Sequence, residues 1–186
     1  TVDQPISAIA FLPRRERMLV LSSGTISTWD LRSGQRIASA PTGSPRTRLD
    51  TAAGTIATRS DGAQAVAFDP STGGMIGVDA VGRVQFRRDL DSISAGAWLA
   101  YSPGGGRLFR TDDRGRVAEV NTTSGSDLDV LGQTQVGRQT ALVALDDETL
   151  AVPSAAGPTI ELWSTVGASP IVTHLPGPGL APTEFS

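Results

Sequence analysis

Three short apolar runs occur in the segment Trp98-Leu-Ala-Tyr-Ser-Pro-Gly-Gly-Gly-Arg-Leu-Phe-Arg-Thr-Asp-Asp-Arg-Gly-Arg-Val-Ala-Glu-Val120. The first run ends in Tyr101-Ser-Pro, the second extends from Arg107 to Thr111, and the third begins at Arg116. Glycine, proline, serine and aspartate separate these runs, and strands of about five residues with such separators are typical of antiparallel hairpins. The segment therefore predicts three consecutive antiparallel β-strands.

The same pattern recurs 33 residues earlier, between Val66 and Val84. Six positions coincide in one ungapped alignment: Phe68 with Tyr101, Pro70 with Pro103, Gly73 with Gly106, Gly82 with Gly115, Arg83 with Arg116 and Val84 with Val117. Less regular copies open at Ile9 and Leu142, and residues 183–186 look like the start of another. The mean spacing is about 44 residues, the period of four-stranded propeller blades, when the following residues are taken as equivalent: Phe11, Phe68, Tyr101, Leu145 and Phe185.

These repeats resemble degenerate WD40 repeats of a β-propeller. Phe68-Asp-Pro and Tyr101-Ser-Pro, each followed by glycines, match the family's first strand and turn. Trp29-Asp30 is a copy of the family's characteristic dipeptide, and Leu162-Trp163-Ser164 is a partial copy. The resemblance implies an all-β chain of about four blades, each a four-stranded antiparallel sheet. Because an open array of blades leaves apolar faces and strand edges exposed, we expect residues 1–186 to be one segment of a larger propeller. The family's Gly-His dipeptide is absent throughout, so the hydrogen-bond network that depends on its histidine is not expected.

The repeats divide the chain into blades of unequal length. We expect the first blade over residues 6–39, followed by an insertion over 41–62 that carries an extra strand at 55–58. The next blade covers 65–96, and its expected strands are Ala65–Asp69, Met75–Asp79, Arg83–Arg87 and Asp91–Ser94. The remaining blades cover 97–139 and 140–176, and residues 180–186 begin a further blade.

An alternative alignment matches four turns instead: Asp30–Gly34, Asp69–Gly73, Asn121–Gly125 and Ser164–Gly167. It makes residues 55–58 the second strand of their blade and residues 65–68 the third, and it gives blades of more even length. We favour the first alignment, because the alternative discards the match at an offset of 33 residues.

The composition restricts the classes of function. The formal net charge of −3 provides no broad positive field for nucleic acid or anionic lipid. All 16 basic residues are arginines, which is typical of a GC-rich bacterial genome such as an actinobacterial one. No cysteine is present, so disulfides and thiolate ligands are excluded. No run reaches the ~18 apolar residues of a membrane span, and no basic-then-apolar leader is present. We expect a cytoplasmic location, with an extracytoplasmic domain of a larger protein as the alternative.

Patterns typical of catalysis or metal binding are scarce. His174 is the single histidine, so a histidine-dependent triad or a multi-histidine metal site cannot form within the chain. The acidic groups Asp112-Asp113 and Asp146–Glu148 lie at expected hairpin turns, where aspartate caps backbone amides, and neither has the spacing of a calcium loop. Gly104–Gly106 lacks the lysine and the helix of a phosphate-binding loop. We therefore expect no catalytic residue, no metal ion and no cofactor.

Arginine and tryptophan provide the candidate binding surface. Most arginines, including those of the run Arg14-Arg15-Glu16-Arg17, are interspersed with acidic residues and are expected at solvated strand and turn positions. The alternative is that several gather on one face as a partner-binding patch, since arginine and tryptophan are favoured at interface hot spots. The residues assigned to this patch are Arg87, Arg88, Arg110, Arg114 and Trp98.

These features predict a non-catalytic protein-interaction or sensor scaffold whose loops bind a protein or peptide, or another domain or chain that completes the propeller. One alternative is a propeller enzyme similar to lactonases or glycosidases, with Asp79, Asp112 and Asp113 converging at the channel mouth from comparable turns. Another is a structural blade set that completes an oligomeric ring. No nucleic-acid partner and no membrane span are expected.

Overall fold

The structure, a computed structural model, describes residues 4–44, 54–90, 97–112, 114–134, 141–153, 159–166 and 172–176. Within these ranges the chain forms four antiparallel sheets of four strands each, and it contains no helix. The strands β1 to β16 are, in chain order, Ile6–Leu12, Arg17–Ser22, Thr25–Asp30, Arg36–Pro41, Thr55–Thr58, Gln64–Asp69, Gly74–Asp79, Val84–Asp89, Ala97–Tyr101, Leu108–Asp112, Arg116–Val120, Asp127–Gln133, Val143–Ala144, Thr149–Pro153, Thr159–Ser164 and Val172–Pro176.

Each sheet is a meander in which the strands lie side by side in chain order. Strands adjacent in sequence pair antiparallel; in β2 and β3, for example, Leu19 lies opposite Thr28 and Leu21 opposite Ile26. Burial decreases toward the outer edge of a sheet, since β10 is buried along its whole length whereas β12 is largely exposed. Strands that are covered on both sides need no alternation of polar and apolar residues, which explains the weak alternation of the inner strands.

Three apolar cores join the four sheets face to face, so the sheets are consecutive blades. The first strands β1, β5, β9 and β13 are neighbours in that order and therefore share the inner side of the array. The large side chains at the centres of the cores are, in chain order, Leu19 with Ile76, Phe68 with Leu108, and Phe109 with Trp163. The predicted all-β fold of about four antiparallel blades is confirmed.

The second blade differs from both sequence alignments. Residues 55–58 pair with β6, with Thr55 opposite Phe68, so they are the first strand of the sheet and neither an insertion nor a second strand. The segment Gln64–Asp69 is accordingly the second strand, although the two alignments made it the first or the third. The strand expected over 91–94 lies outside the described residues, and β8 already provides the fourth strand of this blade.

The spacing of the blades is visible in the turn after each first strand. In three blades a carbonyl there accepts a hydrogen bond, 2.8 to 3.3 Å long, from the amide three residues later: Leu12 from Arg15, Arg59 from Gly62, and Ser102 from Gly105. The three acceptors lie 47 and 43 residues apart. The blades are therefore more even in length than the favoured alignment predicted.

The 33-residue match proves to be a repeated turn at two different blade positions. Asp79 and Asp112 each accept hydrogen bonds at Oδ1 from the amides two and four residues later, at 2.9 to 3.0 Å. This turn joins the third and fourth strands of the second blade but the second and third strands of the third blade. Because successive strands run antiparallel, Asp79 and Asp112 lie on opposite faces of the propeller.

The turns thus fall into two sets on opposite faces. The near face, as we call it, carries the turns between first and second strands and between third and fourth strands, which include residues 13–16, 31–35, 59–63, 80–83, 102–107, 121–126 and 145–148. The opposite face carries the turns between second and third strands, including residues 23–24, 70–73 and 114–115.

The outer sides of the first and fourth blades are apolar and exposed. In β1, Leu12 packs into the core toward the second blade, whereas Phe11 points away from it and is 62% exposed. In the fourth blade Leu142 and Ala144 pack toward the third blade, and Leu145 is 52% exposed. These two outer sides, which we call the terminal sides, resemble interior blade surfaces without a neighbour.

Two expectations concern the C-terminal region and membrane spans. The backbone of His174 lies in β16 opposite that of Glu161, and the further blade expected over 180–186 lies outside the described residues. In the described ranges, no helix of the length and apolarity of a membrane span is found.

Candidate functional site

A groove of about 730 Å³ opens on the near face between the first and second blades. The first blade contributes the turn between β1 and β2 and the start of the turn after β3, and the second blade contributes the turn after β7. The lining residues are Arg14, Arg15, Glu16, Arg17, Arg32, Ala80 and Val81. We call this site the arginine groove.

The turn between β1 and β2 is strained and firmly held. Arg14 and Glu16 adopt left-handed backbone conformations, with φ of 61° and 49°, which residues other than glycine seldom adopt. The Arg15 amide donates to the carbonyl of Leu12 at 3.3 Å, and the Leu31 amide donates to the carbonyl of Glu16 at 3.0 Å. Backbone strain of this kind persists only where the surrounding structure enforces it, and it is concentrated at functional sites.

Four arginines and one glutamate give the groove a local excess of positive charge. Nη2 of Arg32 donates to Oε1 of Glu16 at 2.8 Å, and this hydrogen bond raises the pKa of Arg32. Nη1 of Arg17 donates to the carbonyl of Ala80 at 2.9 Å, which ties the first blade to the second. Among the described residues, Arg14 and Arg15 have no hydrogen-bond or ion-pair partner for their side chains. Two guanidinium groups therefore remain open to a ligand.

Asp30 supports the groove from its rim. Its Oδ1 accepts hydrogen bonds from the Arg32 amide at 3.0 Å and from the amide and hydroxyl of Ser33 at 2.9 and 3.1 Å. The bonds from Ser33, assisted by the Arg32 amide and the charge of Arg17, hold the pKa of Asp30 below its ordinary value. The carboxylate is thus kept ionised and fixes the turn that carries Arg32.

A smaller groove of about 260 Å³ lies on the same face between the second and third blades. Gln64 links its walls, since Nε2 donates to the carbonyl of Thr122 at 2.7 Å and Oε1 accepts from the hydroxyl of Tyr101 at 2.8 Å. Burial raises the pKa of that Tyr101 hydroxyl. Arg59 donates to Asp61 at 2.8 Å and lowers the pKa of this carboxyl. The main polar groups here satisfy one another, which distinguishes this site from the arginine groove.

The structure separates the residues of the binding patch predicted from the sequence. Arg87 and Arg88 are successive residues of β8 and therefore face opposite sides of the sheet, and Arg88 donates to the carbonyl of Gly125 at 3.3 Å. Arg114 is exposed in a turn on the opposite face. Trp98 packs against the core between the third and fourth blades. These residues do not share one surface.

Arg110 lies inside the third blade and is only 3% exposed. Its Nε and Nη2 donate to the two carboxylate oxygens of Asp127, each at 2.7 Å, and Arg116 adds a bond to Asp127 at 3.1 Å. Burial acts to raise the pKa of Asp127, but the hydrogen bonds and charge of Arg110, together with the charge of Arg116, outweigh it and keep this pKa below its ordinary value. The role of Arg110 in the structure is therefore to join strands of its own blade.

The acidic constellation of the enzyme alternative does not form as expected. Asp79 and Asp112 lie on opposite faces, and each caps its own turn. Asp113 lies outside the described residues. In the described ranges, no group of three or more histidine, aspartate or glutamate side chains is arranged to hold a metal ion.

The arginine groove was only partly visible in the sequence. The run Arg14-Arg15-Glu16-Arg17 is a charged segment at a predicted hairpin turn and marks one wall. Ala80 and Val81 form the other wall. Whether their turn lies on the same face as the arginine run depends on which strands of the second blade it connects. Since both alignments misplaced that blade, neither could bring the two walls together.

Comparison with known proteins supports the fold. No protein-family model matches the chain, and no curated protein matches it by sequence. Among solved structures, that of U3-55K and that of the RRP9 WD40 repeats each have a TM-score of 0.72 and 19% identity, and each comparison covers 92% of this chain and 52% of the other. BamB from Moraxella catarrhalis has a TM-score of 0.66 and 20% identity over 94% of this chain and 50% of its own.

These similarities define the class of fold: the chain is a segment of a β-propeller with WD40-like blades. It spans about half the length of each of these structures. Identities of 19 to 20% concern the fold alone.

Proposed function

We propose that the chain is a non-catalytic protein-interaction scaffold that binds its partner on the near face. WD40-like propellers suit this role because rigid blades position variable loops. The single observation that carries the proposal is the arginine groove, where turns from two blades meet around guanidinium groups that the fold leaves open. Arginine is enriched at the hot spots of protein interfaces, which supports a protein as the partner.

The anchoring of the groove supports this role. Its walls belong to blades joined by an apolar core that contains Leu19 and Ile76. The bond from Arg17 to the carbonyl of Ala80 fixes the distance between the walls. A surface held in this way binds with less loss of conformational entropy than a mobile loop.

Site-specific photo-crosslinking tests which face binds. A photoreactive amino acid replaces Val81 in the arginine groove, and in a matched variant it replaces Arg114 in a turn of the opposite face. We expect discrete protein adducts from position 81 and only background from position 114 in the cells that make the protein. Adducts from position 114 alone, or no adduct from either, would contradict the proposal.

A second candidate function is a structural one, and the terminal sides favour it. Large apolar side chains exposed together mark surfaces that contact another protein, and Phe11 and Leu145 lie on opposite ends of the array. The similar solved structures are about twice as long as the aligned segment. We propose that both terminal sides pack against further four-stranded blades, on the same polypeptide or on a second copy.

The mass of the isolated chain in solution tests this second function. We expect the 186-residue chain to self-associate and the Phe11→Gln, Leu145→Gln double variant to be monomeric. Leu31→Gln, Val166→Gln is the matched control, since these residues are exposed at 47% and 56% and follow the third strands β3 and β15. A stable, soluble monomer of the unmodified chain would show that the terminal sides need no cover.

A further inference from the structure

We infer that the arginine groove binds the carboxylates of an acidic peptide segment, with Arg14 and Arg15 as the residues that grip it. This inference rests on the proposed function and adds the chemistry of the partner. Guanidinium groups donate two parallel hydrogen bonds to a carboxylate, which makes arginine the preferred side chain for this recognition.

The charges in the groove identify the ligand as an anion. The whole chain carries a net charge of −3, yet the groove lining contains four arginines against one glutamate. Glu16 accepts a hydrogen bond from Arg32, and Arg17 donates one to the carbonyl of Ala80. The remaining positive charge is that of Arg14 and Arg15, whose side chains make no hydrogen bond or ion pair with the described residues. Asp61 lies near enough to Arg15 for that charge to help lower the pKa of Asp61, but its carboxylate is already bound by Arg59.

The backbone prepares these two arginines for binding. Leu12 accepts from the Arg15 amide, and Glu16 accepts from the Leu31 amide, so the turn is bonded on both sides of the pair. The left-handed conformations of Arg14 and Glu16 are retained by those bonds. An anion therefore meets a fixed turn, and binding costs mainly the ordering of two side chains.

The surroundings favour a peptide over a nucleic acid. A nucleic acid is held by many phosphate contacts along a basic surface, but this chain is acidic overall and Glu16 is among the residues that line the groove. Val81, which is 37% exposed, adds an apolar wall beside the arginines. A peptide with acidic and apolar side chains can use both features, whereas a phosphate backbone can use only the first.

The test is direct binding by fluorescence anisotropy with the full chain and a short fluorescein-labelled peptide of alternating glutamate and leucine. Two comparison probes are the same peptide with glutamine in place of glutamate and a single-stranded oligonucleotide of similar size. We expect saturable binding of the acidic peptide alone, weakened by added salt because exposed charges are screened.

Substitution locates the binding residues. Arg14→Gln, Arg15→Gln removes two exposed ion pairs to the ligand and should weaken binding about tenfold. Arg87→Gln, Arg114→Gln removes the same charge elsewhere on the surface and should change binding less than about twofold. Circular dichroism and the urea midpoint should match those of the unmodified chain for both variants.

Three outcomes would overturn the inference: no binding of the acidic peptide, equal weakening by both double variants, or equal binding of the oligonucleotide. If the peptide does not bind while position 81 still crosslinks to a protein, the acidic ligand is wrong and the proposed function stands. If neither occurs, both are wrong.

Discussion

The carboxylate of Asp69 accepts a hydrogen bond from the hydroxyl of Thr42 at 2.7 Å, across the boundary between the second and first blades. The same oxygen accepts from the Gly24 amide at 2.8 Å. The other oxygen accepts from the amide and hydroxyl of Ser71. Asp69 is 1% exposed, so donors from both blades converge on a buried carboxylate and join the two blades.

Asp69→Ala should lower the free energy of unfolding by about 3 kcal/mol, because it leaves several buried donors without an acceptor. Urea unfolding followed by tryptophan fluorescence measures this change. Asp129→Ala is the control, since Asp129 is exposed on β12, and it should cost less than about 0.5 kcal/mol. Equal effects of the two substitutions would show that water replaces the carboxylate without loss.

Asp127→Asn should lower the free energy of unfolding by about 3 kcal/mol at neutral pH, because it leaves the guanidinium of Arg110 buried without the carboxylate that pairs with it. Asp129→Asn, two residues along the same strand, is the matched control. Equilibrium unfolding in urea gives both values. A loss no larger than that of the control would contradict the assignment of Arg110 and Asp127 as a buried ion pair.

The same pair predicts the dependence of stability on pH. The pKa of Asp127 is lower in the folded chain than in the unfolded chain. The stability that ionised Asp127 contributes is therefore complete above the unfolded pKa of about 3.9, and it is lost as the pH falls through the lower pKa of the folded chain. The stability difference between the unmodified chain and Asp127→Asn should therefore shrink between about pH 5 and pH 2. Urea titrations at several pH values measure it, and a constant difference would contradict the lowered pKa.

The second blade shows why an architecture can be predicted when the position of a strand cannot. Turn residues such as those of Asp79–Arg83 and Asp112–Arg116 specify the turn itself, and both turns form with the same hydrogen bonds. Such a turn can join any two successive strands of a meander. Which pair it joins is decided by packing against the neighbouring blades, as when β5 takes its place between β1 and β9.

The candidate site illustrates the same limit at the level of side chains. Arg14 and Arg110 both occur in short charged segments of the sequence, yet one is exposed in a strained turn and the other is buried in an ion pair. The carboxylate that pairs with Arg110 comes from β12, two strands away. Sequence patterns of this kind identify arginine-rich turns, but they do not show which guanidinium groups the fold has already used.

Gly77→Ala should destabilise the chain by about 2 kcal/mol through overpacking. Gly77 lies opposite Phe86 in the second blade, and an added Cβ there would overlap the Phe86 ring, whose other edge lies against Gly125 of the third blade. Gly34→Ala is the contrast. Its φ of 67° is strained for alanine, but an added Cβ would meet no non-neighbouring atom within 4 Å, so the free energy of unfolding should fall by only about 1 kcal/mol.

The cause of the Gly77→Ala effect can be separated from backbone effects by a double-mutant cycle. Because Phe86→Leu removes the ring that the new methyl group meets, the alanine should cost at least about 1 kcal/mol less in that background. The cost of Gly34→Ala should be the same in both backgrounds. An additive cycle for Gly77 would show that the ring is not the source of the strain.

Arg107→Lys should loosen the fourth blade selectively. Arg107 donates from Nε and Nη2 to both carboxylate oxygens of Glu119, at 3.1 and 2.6 Å, while Nη1 donates to the carbonyl of Asp147 at 2.8 Å and to the hydroxyl of Thr165. The guanidinium also lies 4.9 Å from the centre of the Phe109 ring. A lysine has one ammonium group and cannot make these contacts together.

We expect Arg107→Lys to lower the free energy of unfolding by about 2 kcal/mol. Because the lost contacts join the third blade to the fourth, amide hydrogen exchange should accelerate more in β14 and β15 than in β2 and β3. Arg87→Lys, at an exposed position of β8, is the matched control and should leave exchange unchanged. Uniform acceleration across all four sheets would mean that the blades open as one cooperative unit, whereas no acceleration in β14 would mean that Arg107 does not hold the fourth blade in place.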